Sequence, residues 1–193
     1  MHGVDLSEPM IQIASQRALH DAYRERMSFE CADIRTVQVH KTFDVVVSLF
    51  HVMSYQITSK DLLDAFHSAV QHLNQGGIFI FDVWYGPAVQ EQGYHVKVKR
   101  LTNREHAITR ISEPHFYPAQ HTIDVQFTLF VQDKITQVIE QFDEMHPMRY
   151  LFKPEIETGL DAVGFDICAF EEWLTGAEPN NQSWSVCCVG RKR

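Results

Sequence analysis

The sequence lacks the features that several classes of protein require. It holds 17 Lys and Arg against 25 Asp and Glu, a formal net charge of −8, so a nucleic-acid partner held by phosphate attraction is not expected. No apolar run approaches the roughly 20 residues that span a bilayer, and no basic start precedes an apolar signal segment. The four cysteines and eleven histidines show no metal-ligand spacing. We therefore expect a cytoplasmic protein with no metal, membrane or nucleic-acid partner.

Strand and helix patterns alternate over the first 82 residues. Short strands are predicted at 2–5, 28–31, 43–48 and 78–81, and helix entries at Ser7 and Thr58, where a capping residue opens an apolar stripe. The β-branched run at 43–48 is typical of a parallel strand buried on both faces, and Gly76-Gly77 is expected to end the second helix. This alternation predicts an α/β, doubly wound sheet with right-handed crossovers.

The period changes between residues 94 and 150. Alternating residues near 96–98, 123–129 and 135–142 predict three antiparallel strands, with a tight turn at Asp133-Lys134. A helix opened by Pro154 and strands near 165–170 and 184–189 should follow. We expect residues 1–193 to form a single domain in which 94–150 is an antiparallel β insertion.

Four segments resemble the class I S-adenosylmethionine-dependent methyltransferases, which have a Rossmann-like fold. They are Gly3 to Met10, Cys31 to Ile34, Phe43 to Tyr55 and Leu73 to Asp82. The last two are not usual in dehydrogenases of similar fold. The resemblance implies S-adenosyl-L-methionine as cofactor and transfer of its methyl group, with the insertion placed after the family's fifth strand.

The resemblance also assigns cofactor contacts. Asp5 would accept from the ribose hydroxyls and Asp33 from the adenine amino group. The full predicted set is Asp5, Leu6, Asp33, Ile34, Ser48 and Phe50. A carboxylate beyond the carboxyl end of a parallel strand suits this role, although Asp5 could instead cap a helix and Asp33 could simply be solvated.

The pattern looks most like small-molecule enzymes, especially the sugar N,N-dimethyltransferases, which share an aromatic, proline-bearing loop such as Val83 to Pro87. Tyr55, Trp84 and Tyr85 would line the acceptor pocket, and core packing is their alternative role. Methyl transfer is an in-line displacement that needs alignment and an uncharged amine. His51 is the candidate catalytic base, with a structural role as its alternative. His146 and three other histidines of the insertion could be surface or substrate contacts.

One family feature is absent from the sequence. The family's first strand and glycine-rich turn normally stand before the strand that here begins at Met1, and the nine glycines contain no G-x-G pair. That strand would lie between the strands at Val4 and Val45. We expect it to precede Met1 in the parent protein, through a start placed too far downstream; a non-catalytic remnant and a strand supplied by a partner chain are the alternatives. Cofactor binding by this chain alone should then be weak.

Three functions compete at this point. The leading hypothesis is methyl transfer from S-adenosyl-L-methionine to an amine or hydroxyl of a small metabolite, such as an amino sugar. The alternative is a catalytically inactive fragment or interaction module, in which residues 94–150 form a platform for a homodimer. A dehydrogenase ranks third.

Overall fold

The computed structural model describes all residues 1–193 and contains ten strands and four α-helices. No helix has both the length and the apolar character needed to cross a membrane. In chain order the elements are β1 (His2–Asp5), α1 (Glu8–Ala18), β2 (Ser28–Cys31), β3 (Phe43–Ser48), α2 (Ser59–Gln71), β4 (Leu73–Tyr85), α3 (Gly86–Gln92), β5 (Lys97–Thr102), β6 (His106–Tyr117), β7 (Thr122–Asp133), β8 (Ile139–Leu151), α4 (Lys153–Val163), β9 (Phe165–Glu172) and β10 (Ser185–Lys192).

The main sheet is built around β4. Strand β4 pairs in a parallel direction with β3 and in an antiparallel direction with β10. Strand β9 pairs with β10 and forms the edge of the sheet. Helices α2 and α4 supply Phe66 and Leu160 to a core with Phe79, Phe81 and Phe165 from the sheet, each 2% exposed or less. These parallel strands and the helix before β4 confirm the predicted α/β fold.

The unit β1–α1–β2 forms a separate two-stranded parallel sheet. Within residues 1–193 no strand lies between β1 and β3, and the side chains of Val45 and Val47 on β3 are 48% and 53% exposed. A cavity of about 510 Å³ lies between the two sheets. The fold therefore has an open seam where a doubly wound sheet is usually continuous.

The insertion contains four antiparallel strands, so the prediction of three was wrong. The strand that was missed is β6, which pairs with β5 and β7 along its length. Its inward positions include Arg110, Ser112 and Pro114, and these residues hid the period-two pattern. The turn after Asp133 is longer than predicted, since β8 begins only at Ile139.

The insertion joins the main sheet through the end of β8. Trp84 and Tyr85 of β4 pair with Tyr150 and Leu151 of β8, directly beyond the point where β3 stops pairing with β4. One strand thus carries the parallel sheet on its first half and the insertion on its last residues. This junction brings the inner face of the insertion next to the carboxyl ends of the parallel strands.

Capping residues predicted two helix starts correctly, whereas the end predicted for the second helix was wrong. Ser7 accepts from the backbone N–H of Met10 at the start of α1, and Thr58 accepts from that of Asp61 at the start of α2, as the capping patterns predicted. Helix α2 ends at Gln71, whereas Gly76 lies inside the span of β4 with φ at +74°. The glycine pair therefore bends the start of the strand and does not terminate the helix.

Candidate functional site

The cavity between the two sheets runs along the whole length of β1 and β3, from Met1 and Phe43 at one end to Asp5 and Ser48 at the carboxyl ends of the strands. Gly3 to Asp5 line it from β1, Ile34 from the loop after β2, and Ser48 and Leu49 from the end of β3. Its volume of about 510 Å³ falls in the range of about 300–1,000 Å³ typical of small-molecule sites. Three of the predicted cofactor contacts, Asp5, Ile34 and Ser48, therefore line the same cavity.

Asp5 ends β1 with an exposed carboxylate. Its Oδ1 accepts the backbone N–H of Ser7 at 2.8 Å, and no side chain or backbone donor of the chain meets Oδ2. The N-cap of α1 is Ser7, not Asp5. Asp5 is thus held in one orientation by the turn and keeps an oxygen for a ligand, while the neighbouring Leu6 is 70% exposed.

Asp33 is already engaged by a cation. Arg35 donates from Nε to both carboxylate oxygens at 3.0 Å, and also bonds Asp61 from Nη1 at 2.6 Å. The hydrogen bonds from Arg35 hold the pKa of Asp33 below its usual range, against the opposing effect of partial burial. Asp33 is ionised and fixed near neutral pH, and Ile34 beside it lines the cavity.

The loop that leaves β3 is held in an unusual conformation. Phe50 and His51 have φ of +64° and +66°, the left-handed region that costs roughly 1–2 kcal/mol per non-glycine residue. The Oγ of Ser48 is buried without a hydrogen-bond partner, while the side chain of Phe50 is 80% exposed. Strain and an unsatisfied hydroxyl at one strand end are typical of a ligand-binding loop.

Asp82 holds the backbone and the ring of His51 in place. It was not among the site residues predicted from the sequence. It is 1% exposed, and its Oδ1 accepts the backbone N–H of His51 at 3.0 Å. Its Oδ2 lies 2.8 Å from His51 Nδ1, a close electrostatic contact in which the ring N–H is not well aligned with the oxygen. The rule that ligands bind beyond the carboxyl ends of parallel strands would have identified Asp82.

An aromatic cluster forms the floor beside His51. The ring of Trp84 is 8% exposed and meets His51 edge-on at 6.1 Å between centroids. Tyr94 and Trp184 lie 5.6 and 5.8 Å from Trp84. Tyr85 does not join this cluster: its ring packs against Phe170 at 5.7 Å, and as the residue after Trp84 on a strand it points to the opposite face.

Tyr55 reaches across to the insertion. It ends a short 3₁₀ turn, Val52–Tyr55, and its hydroxyl lies 2.8 Å from Nδ1 of His146 on β8. His146 Nε2 in turn lies 3.1 Å from a carboxylate oxygen of Glu144. Burial, followed by the charge of Glu144, raises the pKa of the Tyr55 phenol, so Tyr55 is protonated at neutral pH. Sequence alone could not select His146, since its partner lies 91 residues away.

Comparison with known proteins points to one family. Residues 1–77 match the model of a family described as "Methyltransferase domain". One relative is a Streptomyces venezuelae protein named dTDP-3-amino-3,4,6-trideoxy-alpha-D-glucopyranose N,N-dimethyltransferase. The chain is 26% identical to it over 174 residues, which is 90% of this chain and 68% of the relative. It is 24% identical over 184 residues, 95% of its length and 68% of the relative's, to dTDP-4-amino-2,3,4,6-tetradeoxy-D-glucose N,N-dimethyltransferase of Saccharopolyspora spinosa.

A solved structure gives the same result for the fold. An S-adenosylmethionine-dependent methyltransferase from Clostridium acetobutylicum superposes with a TM-score of 0.82 at 22% identity, covering 99% of this chain and 74% of that one. Together these likenesses support a class I S-adenosylmethionine-dependent methyltransferase, with S-adenosyl-L-methionine as the methyl donor.

Proposed function

We propose that the chain transfers a methyl group from S-adenosyl-L-methionine to the amine of a small amino sugar, in the cytoplasm. The observation that carries this proposal is the pairing of His51 with the buried Asp82 at the exit of β3. It places a basic ring between the cavity that can take the donor and the aromatic floor that can take the acceptor.

The residues around the cavity fit the cofactor in three respects. Asp5 offers a carboxyl oxygen to vicinal hydroxyls at the end of β1. Ser48 Oγ, buried without a partner, would gain one from a polar ligand. Ile34 offers an apolar wall to a flat ring. The bound cofactor would supply an electrophilic methyl group on a sulfonium.

Asp33 takes a different role from the one first expected. Because Arg35 occupies both of its oxygens, we propose that Asp33 shapes the loop around Ile34 and meets the adenine only through a remaining lone pair. Leu6 and Phe50, both largely exposed, would close on the cofactor from its solvent side. Tyr85, on the far face, has no part in the proposed pocket.

The acceptor side combines aromatic rings with two cations. Nζ of Lys97 lies 4.7 Å from the centroid of Tyr94, and the guanidinium of Arg110 lies 4.6 Å from that of Phe127. Both cations stand on the inner face of the insertion, and Nε of Arg110 is buried without a partner. Rings suit the apolar face of a sugar, and the cations suit an anionic group such as the diphosphate named in the sugar nucleotides of both relatives.

His51 would keep the acceptor amine uncharged. The carboxylate of Asp82 beside Nδ1 favours the tautomer that carries its proton on Nδ1. Nε2 is then the atom that accepts a proton from the ammonium of the acceptor. The lone pair freed on the amine would then be available to the methyl group that the bound cofactor would supply, with the S–C bonding electrons left on sulfur as the N–C bond forms.

Calorimetric titration and product analysis test this proposal. The 193-residue chain is titrated with S-adenosyl-L-methionine and, separately, with NADH, and Asp5→Asn and Asp166→Asn are titrated in parallel. Asp166 is exposed on β9 and serves as the matched control. We expect weak binding of the sulfonium and none of NADH, with a further loss of roughly 1–3 kcal/mol in Asp5→Asn and no change in Asp166→Asn.

Product analysis then uses dTDP-3-amino-3,4,6-trideoxy-α-D-glucopyranose, with mass spectrometry for added methyl groups. A mass gain of one or two methyl groups supports the amino-sugar proposal. Binding of NADH in place of the sulfonium would show a dehydrogenase. Binding of neither ligand by the chain, with or without any in-frame residues encoded upstream of Met1, would support the interaction module.

A further inference from the structure

A hydrogen-bonded chain of three side chains links the insertion to the loop after β3. Glu144 and His146 lie on β8, and Tyr55 ends the 3₁₀ turn that begins beside His51. The distances are 3.1 Å from Glu144 to His146 Nε2 and 2.8 Å from His146 Nδ1 to the Tyr55 hydroxyl. Both ring nitrogens of His146 are therefore occupied, one by a carboxylate and one by a phenol.

This arrangement fixes the tautomer of His146. A carboxylate accepts hydrogen bonds, so Nε2 carries the proton and donates it to Glu144, and Nδ1 accepts from the Tyr55 hydroxyl. The ring is also clamped by packing, since Phe127 lies 4.7 Å away and Tyr55 6.0 Å away between centroids. His146 can thus take a proton from Tyr55 without moving.

The triad stands on the acceptor side of the site. On β8, positions 144, 146, 148 and 150 share one face, and Met148 and Tyr150 of this face are buried against Trp84. The turn that carries Tyr55 is tied to the same place, because Ser54 Oγ accepts the backbone N–H of Trp84 at 3.0 Å. Tyr55 is 43% exposed, so its hydroxyl is accessible to a ligand on this face.

The triad has a path to solvent. The side chains of His146 and Glu144 are 27% and 57% exposed. The other charged group near this ring system is Arg110, which stands over Phe127. A proton placed on His146 can therefore leave to water at the rim of the insertion. Structural histidines more often have their polar atoms sealed in the core, as His72 does between Ser68 and Val39.

We propose that Glu144, His146 and Tyr55 form a second proton relay for the acceptor, in which Tyr55 meets the amine and the other two position it. The proposal rests on the proposed function, since it takes an amine as the acceptor. His51 takes the proton of the incoming ammonium, whereas the methylated ammonium left by the first transfer gives its proton to Tyr55 Oη as the phenol proton passes to His146 Nδ1. His146 is then an imidazolium beside the Glu144 carboxylate, and it releases the proton to water. The neutral amine, which each round of methylation again requires, is left facing the methyl donor.

The relay explains why the insertion and the parallel sheet act together. Two of its members belong to the insertion and one to the loop of the parallel sheet. Neither part alone holds a complete chain of proton carriers. The site of methyl transfer would then be assembled only where β8 joins β4.

Kinetics of two single variants, their double variant and one control test the relay. We compare Tyr55→Phe, His146→Gln and Tyr55→Phe/His146→Gln with His115→Gln, a histidine on the outer face of β6. With the dTDP-3-amino sugar as acceptor, each relay variant should lose about 10²-fold in kcat, at the lower end of general acid–base contributions. KM for the cofactor should stay within about twofold, and the double variant should lose no more than either single one, because the residues act as a unit. Parent kcat in Tyr55→Phe or His146→Gln would overturn the proposal, as would fully additive losses.

Nitrogen NMR of the His146 ring gives a readout that needs no turnover. The signals are assigned by their loss in His146→Gln. We expect a protonated Nε2 and an unprotonated Nδ1 whose resonance moves in Tyr55→Phe, with melting temperatures of the variants matching the parent. Added amino sugar should move the Nδ1 resonance in the parent and not in Tyr55→Phe. If the parent turns over no amino sugar yet shows this shift, the proposed reaction fails and the relay stands as a binding element; if no shift occurs, the relay is wrong.

Discussion

Replacing Asp82 by asparagine removes a negative charge from beside His51 while keeping the shape of the side chain. The amide oxygen can still accept the backbone N–H of His51, now 3.0 Å from Oδ1. The amide nitrogen would stand where Oδ2 lies, 2.8 Å from Nδ1, and it would donate to that atom. His51 would then carry its proton on Nε2, the nitrogen that the proposed mechanism needs as an acceptor.

The expected magnitudes for Asp82→Asn follow from these contacts. A hydrogen bond to a charged group contributes about 1.5–3 kcal/mol and a neutral one about 0.5–1.5, so the free energy of unfolding should fall by about 1 kcal/mol. For a chain of this size that corresponds to roughly 2–4 °C in Tm. Loss of a positioned base should lower kcat by about 10²-fold or more, with cofactor affinity unchanged.

Asp82→Ala removes both the carboxylate charge and the hydrogen bond that supports the loop after β3, so that comparison with Asp82→Asn separates these two effects. It leaves the buried N–H of His51 without an acceptor, at a cost of about 1–3 kcal/mol, and lets Phe50 and His51 leave the left-handed region they now occupy. We expect a larger loss of stability than in Asp82→Asn and the same loss of kcat. Thermal unfolding, cofactor titration and initial rates measure the three quantities. If Asp82→Asn keeps the parent kcat, His51 is not a base; if it loses cofactor affinity instead, Asp82 belongs to the cofactor site.

Three further predictions concern stability and thiol chemistry. Glu155→Gln should lower the free energy of unfolding, measured by urea denaturation, by about 3 kcal/mol, because it leaves the charge of the 7% exposed Arg149 unpaired. Glu157→Gln, on the surface, is the control and should change the free energy of unfolding little. Equal losses in the two variants would refute the buried-pair argument. Burial raises the pKa of Cys188 to about 12. A thiolate-selective reagent at pH 8 should therefore leave Cys188 unlabelled in the native chain while the two exposed cysteines react, and labelling of Cys188 should rise as the pH increases. Labelling of native Cys188 at the rate of the exposed cysteines would contradict its burial. Lys192→Met removes the hydrogen bonds to the carbonyls of Val70, in the last turn of α2, and Leu73, the first residue of β4. It should lower Tm by roughly 3–6 °C for a loss of about 1.5 kcal/mol. An unchanged Tm would show that water replaces the ammonium there.

Local sequence patterns determined much of the framework. The capping residues Ser7 and Thr58 specify helix starts through contacts three residues away. The run Phe43–Ser48 forms a parallel strand as predicted, because its β-branched residues suit a pleated surface. The predicted burial on both faces was wrong, since Val45 and Val47 are about half exposed on the side where no strand pairs. The helix starts and the strand itself depend on neighbours in the chain, so the sequence contains them in full.

The boundaries and strands that were predicted wrongly depend on distant partners. Strand β6 exists because β5 and β7 pair with it on both sides, although Arg110 and Ser112 interrupt its apolar face. Helix α2 ends before the glycine pair because β4 begins pairing with β3 at Leu73. Tertiary pairing overrides local propensity at such places.

The same division holds for the candidate site. Asp5, Ser48 and His51 could be predicted from the sequence, because a residue that ends a parallel strand lies at the ligand-binding edge. The ion pair between Asp33 and Arg35 could not be predicted from the sequence, since the side chain of an arginine two residues away can adopt many orientations. Tyr85 lies on the face of β4 opposite Trp84, where its ring packs against Phe170, so the two residues cannot both line the proposed pocket.

The sequence by itself thus determined the α/β alternation, the acidic strand ends and the family resemblance, because each is carried by residues close together in the chain. Only the tertiary structure decided the partners of those residues. His51 meets Asp82 and Tyr55 meets His146 across 31 and 91 residues, and such pairs form only when separate strands come together in one sheet. The open seam between β1 and β3 is likewise a property of strand order, which no local pattern encodes.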